Sequence, residues 1–301
     1  MELALHEERH PNDTAQTRFD GLVGLESHKE HLLDELTLLL DPGRLLSWRK
    51  KHHRKGLPLV DARVPAAPLI LLSGEVGCGK TALALSVATP LARRLEMRVV
   101  TLETPSDVRG SGRVGELSAR VTEAFSQARQ RAKEAGRGLL IIDEADDLAT
   151  SRSQMQAHHE DRAGLNVLIK QVDSLGRDGS LLAVVMITNR AHALDPAVVR
   201  RAALHLRFTR PDGPLRSALF HRLLQGTGTK ASEIDDLVRR SDRDGVPYSY
   251  SDLTERVAKL ALRQAFAADE PLQAAHFLAG LEEVSPSPLI DGTVPPGVSQ
   301  P

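Results

Sequence analysis

Hydrophobic and polar positions follow two rhythms along this chain. Between residues 69 and 208, short and almost solidly apolar runs recur: Leu69–Leu72, Arg98–Leu102, Leu139–Ile142, Leu181–Ile187 and Leu204–Phe208. Runs of that length with no polar face predict strands buried on both sides. Between them apolar residues return every three or four positions. Thr81–Ala88 reads as a helix, and so does Leu117–Ala135, with Val121, Phe125, Ala128 and Ala132 on one face. Leu165, Leu168, Ile169, Val172 and Leu175 mark a further helical stripe. Strand–helix alternation predicts an α/β domain whose parallel sheet is covered on both faces.

The flanks differ. Residues 1–18 are polar and charged and predict a flexible arm. Phe19–Leu25 is a short apolar turn segment. In Ser27–Leu40 a helical stripe of Leu32, Leu33, Leu36, Leu39 and Leu40 is stopped by Asp41-Pro42-Gly43. Leu45–Lys55 is basic and ends Arg49-Lys50-Lys51-His52-His53-Arg54-Lys55, either a solvated helix face or a contact surface for a partner or a neighbouring subunit. Arg210-Pro211-Asp212-Gly213-Pro214 breaks the alternation. Beyond it only helical stretches are predicted: Leu215–Leu224, Ser232–Arg240, Ser251–Ala267 and Pro271–Glu283. Residues 285–301 are rich in Pro, Ser and Gly and predict a disordered tail. The expected organisation is an arm at 1–18, a large α/β domain at 19–210, a small helical domain at 211–284 and the tail.

Composition narrows the function classes. A net charge of −1 and 3% aromatic residues give no general pull toward nucleic acid or anionic membrane and no supply of base-stacking platforms. No segment reaches the roughly 18 uninterrupted apolar residues of a membrane helix, and residues 1–18 lack the apolar core of a signal peptide. A cytoplasmic protein is expected. The one cysteine, Cys78, rules out an internal disulfide and a cysteine-based zinc site. Beside Lys80 and a helix N-terminus it is a candidate for easier ionisation and redox switching, against the plainer reading that it fills a free loop position.

The chemistry-bearing residues form an ordered set. The first strand runs into Gly74-Glu75-Val76-Gly77-Cys78-Gly79-Lys80-Thr81, a G-x-x-x-x-G-K-T loop. Its glycines let backbone N–H groups close around phosphate oxygens, Lys80 supplies charge for the β- and γ-phosphates, and the Thr81 hydroxyl is placed for Mg²⁺. ATP and Mg²⁺ are the expected ligands. Leu139–Ile142 delivers Asp143 and Glu144 to a strand tip, the first to hold Mg²⁺ and the second to polarise the attacking water. Asn189 ends the strand Ala183–Thr188 and could orient that water, or could be a simple turn residue. Arg200 and Arg201 lie too far along the chain to belong to the loop's own cradle. Arginine donated from a neighbouring subunit would make hydrolysis depend on assembly. A surface basic pair is the plainer reading. No H-E-x-x-H protease motif is present.

Phosphate loop, Asp-Glu strand tip, Asn-ended strand, late arginines and a helical lid occur in the order of the AAA+ ATPases, and the chain resembles that family over residues 19–284. The resemblance implies a five-stranded α/β domain with a helical lid, ATP at subunit interfaces and a hexameric ring. It implies Lys80 and Thr81 as Walker A, Asp143 and Glu144 as Walker B, Asn189 as sensor 1, Arg201 as the arginine finger with Arg200 the alternative, and Val23 and Gly24 beside adenine. Gly110-Ser111-Gly112-Arg113-Val114-Gly115, Arg201-Ala202 and a single ATPase module with almost no N-terminal extension resemble the bacterial relatives of the pachytene-checkpoint ATPases. That narrower resemblance implies a remodeller of HORMA-domain proteins that regulates cyclic-oligonucleotide anti-phage signalling. It places Val108, Arg109 and Arg113 in a first pore loop without the aromatic many threading relatives carry. His158 and His159 fall in a second pore-facing loop, Ser151–Asp161, where a metal site is disfavoured because neighbouring histidines project apart. No sensor 2 arginine stands at Tyr250-Ser251-Asp252-Leu253, and Arg256 is the nearest. The alternative within the same fold is a helicase-loader or clamp-loader type of nucleic-acid motor.

Overall fold

The computed structural model describes residues 3–61, 67–105, 115–149, 159–177 and 181–289. The chain divides into two compact units. The first takes Met1–Gly21, Ser27–Ser73 and Thr81–Arg207, and the second takes Leu22–Glu26, Gly74–Lys80 and Phe208–Pro301. The phosphate loop and the segment before Ser27 thus group with the C-terminal helices, rather than with the sheet that precedes them in sequence.

Six strands form one sheet: β1 His6–His10, β2 Leu69–Gly74, β3 Val99–Glu103, β4 Arg137–Ile142, β5 Leu182–Thr188 and β6 Leu204–Phe208, in the order β1-β3-β4-β5-β2-β6. β2 and β4 each run parallel to β5, and β3 runs parallel to β4. β4 and β5 lie inside the sheet, and all the residues of Gly138–Ile142 and Leu182–Thr188 are buried, which is why both read as unbroken apolar runs. Leu140, Ile142, Val184 and Met186 share one cluster with Val121, Phe125 and Ala128 of the helix Glu116–Ala135 and with Leu165, Leu168 and Val172 of the helix His159–Arg177.

β1 corrects two expectations. Residues 1–18 do not lack structure among the described positions: His6–His10 pairs antiparallel with β3, His6 opposite Glu103 and His10 opposite Val99, and a helix follows at Asp13–Gly21. The sheet therefore has a sixth, antiparallel strand beyond the five the resemblance implied. His6-Glu7-Glu8-Arg9-His10 has no apolar alternation, so hydropathy could not reveal it. Backbone pairing and one buried imidazole hold it instead. His10 is 2% exposed, with Nδ1 2.8 Å from Thr89 Oγ1 and Nε2 3.1 Å from Thr101 Oγ1. Asp41-Pro42-Gly43 ends the helix Glu26–Leu40 as expected, but the same residues open another at Pro42–His52, where proline at the first turn loses no hydrogen bond.

The second unit packs the helices Gly213–Leu223, Ala231–Arg240, Ala258–Ala268 (entered through a π-turn at Asp252–Val257) and Ala274–Glu283. Its core joins Phe220, Ile234, Leu237, Tyr248, Leu253, Val257, Phe277 and Leu281, with Phe220 and Phe277 edge to face at 6.2 Å. It is not all helix: Asp242–Arg243 and Val246–Pro247 form a small antiparallel ladder. The turn between them is Asp244-Gly245, both at positive φ, the dipeptide that a tight hairpin favours. The tail expectation also fails in part, because the chain beyond Glu283 is bonded to this unit as far as Pro288. Residues 290–301 lie outside the described residues. No helix among the described residues is long and apolar enough to cross a membrane.

Burial holds the His10 imidazole below its ordinary value of 6.5, against a smaller upward pull from Glu8. Below that pH the unfolded chain binds a proton the folded chain refuses, so stability falls as pH drops. His10→Ala, which removes the buried imidazole and its hydrogen bonds to the Thr89 and Thr101 hydroxyls, is expected to lower unfolding free energy by about 1–3 kcal/mol at pH 7.5. The variant should also lose less stability than the wild type between about pH 7 and about pH 5.5, retaining the part due to His205, whose pKa burial also lowers. Urea denaturation at both pH values measures it.

Candidate active site

The phosphate loop is shaped by positions only glycine tolerates. Gly74 sits at φ 126°, and a Cβ there would lie 2.0 Å from the Phe208 carbonyl oxygen. The Glu75 amide donates to that same carbonyl at 3.0 Å. Gly77, at φ 72°, would carry a Cβ 2.7 Å from Ser249 Oγ, and its carbonyl accepts from the Ser251 amide at 2.9 Å. Gly79 is at φ 90° against Leu25. The Lys80 side chain is buried, and its ammonium donates to the Gly74 and Glu75 carbonyls at 2.8 and 2.6 Å. Val76 is exposed. Val23 packs on the core of this unit, and Gly24 lies against Leu215 and Tyr250, so the segment expected beside adenine shares a compact unit with the loop.

Cys78 does not match the idea of an easily ionised thiol. It is 1% exposed, and burial pushes its pKa up to about 12, more than Lys80 and Arg210 pull it down. Its Sγ faces the Val76 carbonyl at 3.7 Å. A group so protected is a small apolar filler rather than a redox switch.

Arg210, Asp252 and Ser287, to which sequence reasoning gave no role, support the loop within this unit. Arg210, whose side chain is almost wholly buried, donates to the Pro247 and Pro288 carbonyls, each at 2.8 Å, and lies 3.4 Å from the buried Glu75 carboxylate of the loop. Asp252, also buried, accepts from the Ser249 amide and hydroxyl at 3.1 and 2.9 Å, from Arg256 at 2.8 Å, and from the Ser287 amide and hydroxyl at 3.1 and 2.6 Å. Burial pushes its pKa up, but the Ser287 hydroxyl and amide, Arg256 and the Ser249 amide outweigh that and bring it to about 2. Arg256, the nearest arginine to the sensor 2 position, is committed to Asp252 and the Ser285 carbonyl. The segment Val284–Pro288 is thus a strap, tied through Asp252 to Ser249 and through Arg210 to Glu75. No hydrophobic pattern marks it.

The other group of residues belongs to the sheet unit. Thr81, next in the chain after Lys80, donates its hydroxyl to Asp143 Oδ2 at 2.8 Å. Asp143 Oδ1 accepts from the Glu144 amide at 2.8 Å, and Glu144 turns out of β4 at φ 51° with its side chain exposed. The tips of β4 and β5 are pinned together, with Ala145 N to Ile187 O at 2.8 Å and Thr188 Oγ1 to Asp146 Oδ1 at 2.7 Å. Asp146 was not singled out in the sequence. Asn189 follows, half-buried, and its amide has no hydrogen-bond partner among the described residues. Asp195 caps the short helix Pro196–Val199, accepting from the Ala197 amide at 2.8 Å. The arginines after it differ. Arg200 is exposed, while Arg201 forms a two-point pair with Asp173 at 2.7 and 3.0 Å and donates to the Ala197 carbonyl at 2.8 Å. Val108, Arg109, Arg113 and His158 lie outside the described residues. His159 opens the helix His159–Arg177.

A G-x-x-x-x-G-K-T loop, a hydroxyl–carboxylate pair of hard oxygen ligands suited to a small divalent cation, and an exposed carboxylate at the next position are the parts a nucleotide hydrolase requires. The family model for the ATPase family associated with various cellular activities (AAA) matches residues 70–210, and the chain belongs to the AAA ATPases. Within that family it is similar to CD-NTase-associated protein 6 of Escherichia coli. It is 40% identical to the protein of strain MS 115-1 over 258 residues, which span 82% of this chain and 83% of the relative. To that of strain KTE188 it is 38% identical over 283 residues, 93% of this chain and 95% of the relative. Among solved structures it is similar to a chain of the E. coli MS115-1 HORMA:CdnC:Trip13 complex, with a TM-score of 0.88 and 35% identity over 96% of this chain and 100% of that one. Rhizobiales Trip13 matches with a TM-score of 0.72 and 34% identity over 94% and 98% of the two chains.

The strap makes a measurable claim. Ser287→Ala removes one of the hydrogen bonds to a buried carboxylate and should lower stability by about 1–3 kcal/mol, whereas Ser287→Thr, which keeps the hydroxyl, should stay within about 1 kcal/mol of wild type. Chemical denaturation of the two variants separates them.

Proposed function

We propose that this protein is an ATP-driven ring that opens or disassembles a HORMA-domain protein complex and so regulates a bacterial anti-phage signalling system, acting in the cytoplasm. The observation that carries this reading is the likeness, over nearly the whole of both chains, to a chain of the HORMA:CdnC:Trip13 complex and to Rhizobiales Trip13, in a chain that keeps the Thr81–Asp143 pair and Glu144. ATP hydrolysis is the family's activity. Its coupling to a conformational change in a partner is the finer part of the proposal.

Each residue has a role in it. The loop from Glu75 to Gly79 wraps the phosphates with backbone N–H groups, and Lys80 exchanges its loop carbonyls for phosphate oxygens. Thr81 and Asp143 would hold Mg²⁺, which when bound neutralises charge on the β- and γ-phosphates. Glu144, exposed and next to Asp143, orients and polarises the attacking water. Asn189 has an unengaged amide to position that water against the γ-phosphate. Val23 and Gly24 line the adenine side. Arg200 is free to reach a neighbouring subunit, whereas Arg201 is held within its own chain by Asp173, so we assign the arginine given across the interface to Arg200 and the shaping of its short helix to Arg201. Val108, Arg109, Arg113, His158 and His159 are the proposed contacts to the partner's flexible segment.

Glu144→Gln should lower kcat by about 10²–10⁴-fold while ATP still binds, since general-base assistance is of that size. A phosphate-release assay beside fluorescent-nucleotide binding checks it, and near-normal turnover refutes the role. Mixing Arg200→Ala chains with Glu144→Gln chains should restore part of the activity that neither has alone, because the interfaces at which an Arg200→Ala chain supplies the site and a Glu144→Gln chain supplies the arginine unite an intact Glu144 with an intact Arg200. Stimulation of the wild type by a HORMA-domain protein supports the remodeller. Stimulation by DNA with a steep salt dependence supports a loader instead.

A further inference from the structure

The chain has two tyrosines, and both lie in the C-terminal unit. Tyr248 is fully buried and satisfied, its hydroxyl bonded to the Leu281 and Val284 carbonyls at 3.0 and 2.5 Å. Tyr250, two residues on, is not. Its hydroxyl is closed off from water and has no hydrogen-bond partner among the described residues. A hydroxyl buried without a partner costs stability, and phenylalanine would fill the same space without that cost. An orphaned group of this kind points to a ligand that completes it. Gly24 lies against the hydroxyl. At φ 74° it is in the region that favours glycine, and a Cβ on it would stand 2.4 Å from Tyr250 Oη and 2.9 Å from Leu215 Cδ2. Ser251, next in the chain, is tied to the phosphate loop by its amide, which donates to the Gly77 carbonyl at 2.9 Å. The orphaned hydroxyl thus stands beside the Val23-Gly24 segment and one residue from a bond to the phosphate loop, all within one compact unit.

The surroundings select what can complete it. Burial, then Cys78, Glu26 and Asp212, push the phenol up to about 12, so it keeps its proton at physiological pH. Cys78 is itself a neutral thiol, which leaves two carboxylates, and no cation, among the groups that act on the hydroxyl. A negative field repels a phosphate oxygen and equally a carbonyl oxygen. It favours an N–H donor, which the lone pairs of the hydroxyl can accept. Position 6 of the ring separates the two common purines, since adenine carries an amino group there and guanine a carbonyl oxygen. We propose that the Tyr250 hydroxyl accepts a hydrogen bond from the 6-amino group of bound adenine, and that this bond sets the preference for adenine over 6-oxopurine nucleotides. In the free chain the Val23-Gly24 turn closes on the hydroxyl, and binding exchanges that contact for the hydrogen bond. A site built this way rejects an analogue without the N–H, because its own polar group is then left unpaired. The proposal rests on the nucleotide role given to the loop and to Val23 and Gly24, and adds the side chain that reads the base.

Equilibrium competition against a fluorescent ADP analogue, with Mg²⁺ and no turnover, tests it. The competitors are ADP, inosine diphosphate (6-oxo), purine riboside diphosphate (no group at position 6) and 2′-deoxy-ADP. Wild type should bind ADP roughly 3–10-fold more tightly than purine riboside diphosphate, and inosine diphosphate more weakly still. Tyr250→Phe should lose that factor for ADP and 2′-deoxy-ADP alike, yet stay within about twofold of wild type for purine riboside diphosphate. Without nucleotide, Tyr250→Phe should melt at or above the wild-type temperature, because it removes an unpaired polar group, whereas a merely structural hydroxyl would make it melt lower. Four results overturn the role of Tyr250 and leave the nucleotide site standing: an equal loss for ADP and purine riboside diphosphate, no loss for ADP, a loss that follows the 2′-hydroxyl instead of the 6-amino group, or a melt below wild type. A wild type that binds none of the four nucleotides overturns the nucleotide site itself.

Discussion

The hydrogen bond from the Thr81 hydroxyl to Asp143 joins the two pieces of sequence to which the proposed hydrolysis assigns the cation. Thr81 opens the descent of the helix after the phosphate loop, and Asp143 caps a strand that could not be buried more completely. Neither can drift. β4 is fixed by neighbours on both edges, and the β4–β5 tips are tied by backbone and by the Asp146–Thr188 bond. A buried parallel sheet is costly in sequence freedom, because every position must be apolar. In return it presents two acidic groups at one rim with little conformational entropy left to lose on ligand binding.

The loop itself depends on a different kind of constraint. Its glycines are there because neighbouring backbone and serine side chains come too close for a Cβ, and because several sit at positive φ. The contacts that crowd it come from Phe208, Ser249 and Ser251, residues far along the chain, while Asp252 holds Ser249 in turn and Arg210 pairs with Glu75 of the loop itself. Shape in the loop is therefore set by the C-terminal unit as much as by the G-x-x-x-x-G-K-T signature.

Legibility in the sequence followed the physics of each feature. The buried strands, the helix stripes and the G-x-x-x-x-G-K-T and Asp-Glu motifs were readable because burial and phosphate geometry leave periodic or fixed-spacing marks. β1 was not, since an edge strand secured by backbone pairing and by His10 needs no apolar rhythm. The strap was hidden for a related reason: Ser285, Pro286, Ser287 and Pro288 have a disordered composition, and what orders them is hydrogen bonding to the buried Asp252 and Arg210 and to Arg256. Asp244-Gly245 was readable as a hairpin turn, but the helical stretches around it drew the reading the other way. The resemblance put Arg201 ahead of Arg200 as the arginine finger; the pairing of Arg201 with Asp173 beside an exposed Arg200 is what supports the reversed order proposed above. Burial reversed the reading of Cys78, because a charged neighbour in sequence does little for a thiol that water cannot reach.

One further consequence follows from β1. The chain lays a short charged strand over the outer side of β3, running opposite to the strands inside. An uncovered β3 would offer Val99, Val100 and Leu102 with a free row of amides and carbonyls, a template for sheet-to-sheet polymerisation between chains. Glu7, Glu8 and Arg9 make a poor template in its place. A chain that gathers copies of itself in a fixed number, as proposed for this one, must also refuse to gather them without limit, and this strand covers one such route.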